Sequence, residues 1–214
     1  MKLQLTKTVV TYSILVCLAI YFIVLHLNQS SFLTQLCQED GTIEWLTAIL
    51  YFGASFLFLY SCKKQNFKNL WYWFFVALFF VVAAEEISWG QRIFGFATPD
   101  NLNNVNVQDE FNFHNVEGVH DKVRAIGLLI VSAICYIMPI SEKISVRVKH
   151  FYEKIKFPVY RLWLVGIVTI AILFMAVPRL LLGEVIFNLD EVGELYLAIG
   201  FFLFSAEYFY IEKT

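Results

Sequence analysis

Apolar runs alternate with short polar gaps along the whole chain. Six runs stand out, at residues 8–27, 43–62, 70–89, 125–140, 159–177 and 192–211. Each approaches the roughly 20 residues that a helix needs to cross a bilayer. Strand-like alternation of apolar and polar positions is not seen. A backbone in hydrocarbon must satisfy its own hydrogen bonds, so these runs predict helices. The expected fold is all-α: a polytopic transmembrane bundle of six spans, forming a single integral membrane domain over residues 1–214. Trp71, Trp73, Trp89 and Trp163 lie near run ends, where interfacial aromatics are enriched. Lys2 and Lys7 precede the first run, as in a signal peptide, but the run is long and no A-x-A site follows, so a retained anchor is expected. Pro178 is expected to stop the fifth run.

Charge orients the bundle. Twelve of the 16 basic residues fall at the termini, in the second and fourth gaps, or just inside the fifth run at Arg161; Arg92, Lys122, Arg124 and Arg179 fall on the other side. The positive-inside bias therefore places both termini in the cytoplasm of a cell whose inner membrane the chain spans. The carboxylates do the reverse. Only Glu142, Glu153, Glu207 and Glu212 of 18 lie on the basic side. The opposite face is acidic and suits cations or cationic groups.

Composition agrees with a membrane protein. The 214 residues are 59% hydrophobic and 18% aromatic, and 16% are charged, against about a quarter in soluble domains. No basic tail or arginine-rich run marks a nucleic-acid partner. Cys17, Cys37, Cys62 and Cys135 are isolated, and they read as small apolar filler rather than as disulfide or metal ligands.

Several carboxylates sit at the membrane edge. Asp40 and Glu44 are four apart, as are Asp190 and Glu194, so each pair shares a helix face. The two segments also share the pattern D-x3-E-x3-A-I. A faint internal repeat and ordinary acidic helix starts both account for it. Glu85 and Glu86 lie some way inside the third run, where an ionised carboxylate is costly and is a functional candidate. At about 100° per residue Glu85, Ser88, Trp89 and Arg92 share one face, and Glu86 points to the next. A Glu85–Arg92 ion pair closing the helix and a polar site facing the bundle interior are both consistent with this pattern.

The connector at residues 90–124 is too long for a plain link. Thr98-Pro99 reads as a helix start, with Thr98 as N-cap. A helix from there would place Glu110, His114, Glu117 and Asp121 on one face and valines on the other, so that it lies on the membrane surface and runs into the fourth span. The V-N-V at residues 105–107 fits an extended strand instead. Glu117 and His120 form one Glu-x-x-His pair of the kind that carboxylate-bridged metal sites use in two copies. His114, Glu110, Glu117, His120 and Asp121 would suit a divalent metal such as Zn, Mn or Fe. Equally, His114 would serve as a general base, and the stripe would serve as a solvated face. His26 and His150 stand alone at run ends. H-E-x-x-H, G-x-S-x-G and Walker-type motifs are absent from the sequence.

The motifs Glu39-Asp40-Gly41-x-x-Glu44-Trp45-Leu46-Thr47, Glu85-Glu86-Ile87-Ser88-Trp89-Gly90-Gln91-Arg92, Thr98-Pro99 and Asn106-x-Gln108-x-Glu110-x-Asn112-x-His114-Asn115 resemble an uncharacterised family of bacterial polytopic membrane proteins. That resemblance implies a membrane bundle and brings no activity.

Three functions fit the pattern. The first is a membrane-embedded hydrolase or group transferase acting on a lipid or lipid-linked substrate at the acidic face. Glu85, Glu86, Glu110 and His114 would be its catalytic groups, and Arg92, Glu44, Ser88, Trp89, Gln91, Asn115 and Glu194 would bind substrate. The second is an ion-coupled transporter. The third is a non-enzymatic interaction or assembly module, with Phe94, Phe96, Phe111 and Phe113 as anchors.

Overall fold

In the computed structural model the apolar runs are helices, as a backbone without polar neighbours requires. The structure describes every residue except 1, 39, 100–105, 107–110, 113–115, 117–119, 184–185 and 212–214. In chain order the helices are α1 (Lys2–Leu27), α2 (Ser31–Cys37), α3 (Thr42–Lys64), α4 (Leu70–Glu86), the single turn α5 (Gln91–Phe94), α6 (His120–Ser132), α7 (Met138–Ile144), α8 (Val146–Lys154), α9 (Val165–Leu182) and α10 (Phe187–Ile211). A π-helical stretch, Ala133–Ile137, joins α6 to α7 into one rod. Among the described residues five helices are long and apolar enough to cross a membrane; α4 with the bent Ser88–Phe94 segment makes a sixth. The fold is thus an all-α polytopic bundle.

Four local features differ from the sequence expectation. The third span ends at Glu86 instead of 89, and the chain then turns by 71°. Pro178 lies inside α9, which continues to Leu182 and is capped by Gly183. Proline costs one ladder hydrogen bond, a loss that membrane helices tolerate where neighbouring groups absorb it. Thr98 does not begin a helix. Residues 96–99 are irregular, and Asn106 pairs with Val116 in an isolated antiparallel bridge, as in the extended reading of that stretch. The helix entering the fourth span starts at His120. The polar gap after α1 folds as well, into α2.

The chain packs as two compact units. The first comprises Met1–Thr47 and Trp163–Gly200. Here the Tyr12 hydroxyl donates to the Trp163 carbonyl, and the Tyr196 hydroxyl donates to the Leu15 carbonyl at 2.6 Å. These bonds join α1 to the start of α9 and to α10. A Cβ at Gly193 would lie 2.4 Å from Met175 Cγ and 3.0 Å from the Ala171 carbonyl oxygen, so α9 and α10 approach over small residues. Much of α1 exposes aliphatic side chains, among them Val9, Ile14 and Ile20, as a lipid-facing helix does.

The second unit comprises Ala48–Leu162 and Phe201–Thr214. Its core is aromatic. Phe58 stacks on Phe75 with centroids 5.1 Å apart and meets Phe204 at 5.4 Å, while Phe79 meets Phe201 at 5.2 Å. Such offset and tilted pairs each add to plain burial. Asn69 organises one end of this unit. Its Oδ1 accepts from the backbone N–H of Trp71 and Tyr72, capping α4, and its Nδ2 donates to the Lys156 carbonyl at 3.0 Å. Ser55, Ser61 and Ser205 are buried, and each donates its hydroxyl to a backbone carbonyl.

Candidate functional site

The chain leaves the helical path at the end of α4. Ile87 has φ −101° and ψ 24°, and then Ser88, Trp89 and Gly90 all take positive φ (46°, 54° and 78°). Only glycine adopts this region freely. For Ser88 and Trp89 it costs on the order of 1–2 kcal/mol each, so surrounding contacts must impose it. Those contacts come from the connector. Asn112 is 1% exposed, and its Nδ2 donates to Ser88 Oγ at 3.2 Å. Asn106 Nδ2 donates to both the carbonyl and Oδ1 of Asn112, each at 3.0 Å. Gln91 works in both directions. Its Nε2 donates to Thr98 Oγ1 at 2.9 Å, and its Oε1 accepts from the Phe111 N–H at 2.7 Å. The rings of Phe96 and Phe111 meet edge to face at 5.5 Å. A buried amide network therefore sews the connector onto the turn, and α5 closes at Gly95 with φ 67°.

This turn positions two of the candidate carboxylates. Glu85 and Glu86 occupy the last turn of α4, each partly buried. The Trp89 indole N–H donates to Glu85 Oε1 at 2.6 Å, so the left-handed turn folds the ring back over the carboxylate. Such a bond fixes the carboxylate's rotamer. Ser88 is buried and bonded to Asn112, whereas Arg92 is exposed on α5 beside Ile93 and Phe94. The bend thus carries Arg92 off α4 and onto α5.

The first unit holds the other acids. Glu44 accepts from the backbone N–H of Asp40, which has φ 57°, and so ties the residues before α3 to its first turn. Thr47, one turn on, is 1% exposed, and its Oγ1 has no hydrogen-bond partner among the described residues. At the start of α10 the Asp190 carboxylate is almost fully buried and pairs with Arg179 Nη2 at 3.6 Å. Glu194 is partly buried one turn further along. Periodicity singled out Glu44, Glu85, Glu86 and Glu194. It missed Thr47, Arg179, Asn106 and Asn112 as participants, although Thr47, Asn106 and Asn112 stood among the quoted motif residues.

Glu110, His114, Asn115 and Glu117 lie outside the described residues, as do the side chains of His120 and Asp121, whose backbone opens α6. Among the described residues no group of three His, Cys, Asp or Glu gathers in the manner of a metal site. All four cysteines are free thiols. Cys37 is buried with its Sγ 3.5 Å from the Asn188 carbonyl, and only Cys17 is exposed. No family model, curated protein or solved structure matches the chain.

Proposed function

We propose that this multi-span membrane protein binds a lipid or lipid-linked substrate at the tip of α4 and hydrolyses its head group or transfers it there. The observation that carries this reading is the turn at Ser88–Gly90. Strain held by a buried amide network, with a carboxylate locked by an indole beside it, marks a preorganised site. Glu86, on the adjoining face, would take a proton from a water molecule as the water oxygen attacks the head-group ester. It would then return that proton to the departing oxygen. Glu85, held by the Trp89 indole, would meet a cationic or hydroxyl group of the substrate. Arg92, exposed one turn beyond, would meet a phosphate or carboxylate. Exposed Ile93 and Phe94 would seat α5 among lipid head groups, where a substrate arrives laterally. The distribution of lysine and arginine supports placing this tip on the extracytoplasmic side, with both termini inside.

One observation favours the second reading, an interaction module. Ser88, Asn112 and Asn106 bond in a chain, and Gln91 bonds to Thr98 and the Phe111 N–H, so that the connector is held rigidly beside Phe94, which is 77% exposed. The carrier reading gains less support, because rings fill the interior of the second unit. The test is turnover of phosphatidylethanolamine and phosphatidylglycerol, labelled in head group and acyl chain, by the purified protein in nanodiscs. Head-group release that falls about 100-fold in Glu86→Gln, with unchanged thermal stability, supports the hydrolase. Absence of release, or equal release by the variant, leaves the interaction module.

A further inference from the structure

A second site lies in the second unit, at the end where Asn69 caps α4. A cavity of about 300 Å³ opens there. Its walls include four aromatic rings, Tyr72, Tyr152, Phe157 and Tyr208, and two carboxylates, Glu142 and Glu153. The rings come from α4, α8, the strand-like link after α8 and α10, so the cavity exists only in the folded unit.

The walls are fixed from behind. The Tyr208 hydroxyl donates to the Val159 carbonyl at 2.9 Å, and the Tyr152 hydroxyl lies 3.1 Å from Ser141 Oγ. Trp71 packs edge to face on Phe157 at 4.8 Å. Tyr72 and Tyr208 meet edge to face at 6.1 Å, and Tyr152 and Phe157 lie at 6.0 Å. Three cations and two carboxylates surround the cavity. Lys149 pairs with Glu153 at 3.9 Å, with both side chains more than half exposed. Arg161 sits over one face of Tyr208 at 5.3 Å. Lys156 is exposed at the rim. Glu142 is partly buried and makes no ion pair or side-chain hydrogen bond among the described residues. What remains is one uncommitted carboxylate among aromatic rings. That combination recognises an organic cation, because ring faces attract an alkylammonium without demanding hydrogen bonds and the carboxylate supplies the countercharge. An inorganic cation would need several oxygen ligands, which Glu142 does not offer beside Tyr152 and Tyr208 hydroxyls bonded elsewhere.

We propose that this cavity binds a small alkylammonium group of the ethanolamine or choline type, either free or as a phospholipid head group whose phosphate reaches Lys156. The proposal is independent of the α4 tip. It is tested by titrating the purified protein in dodecyl maltoside with tetramethylammonium chloride and choline chloride, against sodium chloride at equal ionic strength, by calorimetry. Saturable binding of the organic cations is expected, with a Kd on the order of 1 mM, and no saturable heat from sodium. Glu142→Gln and Tyr152→Leu should each weaken binding at least fivefold. Tyr152→Phe keeps the ring and should bind as the parent does, which separates loss of the cage from loss of folding. Phosphatidylethanolamine nanodiscs that abolish choline binding, where phosphatidylglycerol nanodiscs do not, assign the lipid source; binding retained in both assigns a free amine. No saturable binding of either organic cation, or equal affinity in Glu142→Gln, overturns the proposal.

Discussion

Two membrane helices meet an interruption and respond in opposite ways. α9 contains Pro178 yet runs on to Leu182. α4 contains no proline and breaks after Glu86. The chemistry of the surroundings decides. On one side of Pro178 lies an apolar groove lined by Ile20, Ile23, Phe174 and Leu189, and a backbone that opened there would find no polar partner, so losing a single hydrogen bond is the smaller cost. After Glu86 the Gly90 N–H bonds back to the Ile87 carbonyl, and the side chains of Ser88 and Gln91 are held by Asn112, Thr98 and the Phe111 N–H of the connector. A helix in a membrane breaks where something else can receive its polar groups, and such places are where binding sites are built.

Three substitutions probe this contrast. The largest effect is expected at Asn112. Leucine there leaves the Ser88 hydroxyl and an Asn106 donor short of a partner in a buried place, at about 1–3 kcal/mol for each group left unsatisfied. Asn112→Leu should therefore lower the thermal midpoint in detergent by several degrees. An unchanged midpoint would mean that the network does not hold the turn. Gly90→Ala comes next. With φ at 78° it should cost about 1–2 kcal/mol, and the added Cβ, 2.9 Å from Phe94 Cε2, meets only the end of an exposed ring that can swing away. The smallest effect belongs to Pro178→Ala, which restores one N–H to a helix that is already intact and should change stability by less than about 1 kcal/mol. A loss above that of Asn112→Leu would reverse the comparison.

The sequence announced the spans well and their breaks badly. Runs that are apolar on every side carry no facial pattern, so their extent is readable from hydropathy while their interior geometry is not. This is why the π-helical stretch at Ala133–Ile137 and the passage through Pro178 went unforeseen. The turn at Ser88–Gly90 depends on Asn106 and Asn112, about 20 residues away, and local spacing cannot report such a dependence. Stacking Glu85, Ser88, Trp89 and Arg92 on one face assumed a straight helix, whereas the chain bends after Glu86, and the Glu85–Trp89 contact is made by a folded-back indole. Charge bias sums over many residues and needs no geometry, and the orientation it predicts stands apart from the fold.

Sidedness is therefore the claim to test most directly. Cysteine introduced at Phe94 on α5 and at Lys149 on α8, both exposed, is probed in a background with the four native cysteines replaced, using a membrane-impermeant maleimide on intact cells. The account predicts labelling of Phe94→Cys from outside and labelling of Lys149→Cys only after the membrane is opened. Labelling of both from the same side, or the reverse order, would contradict it.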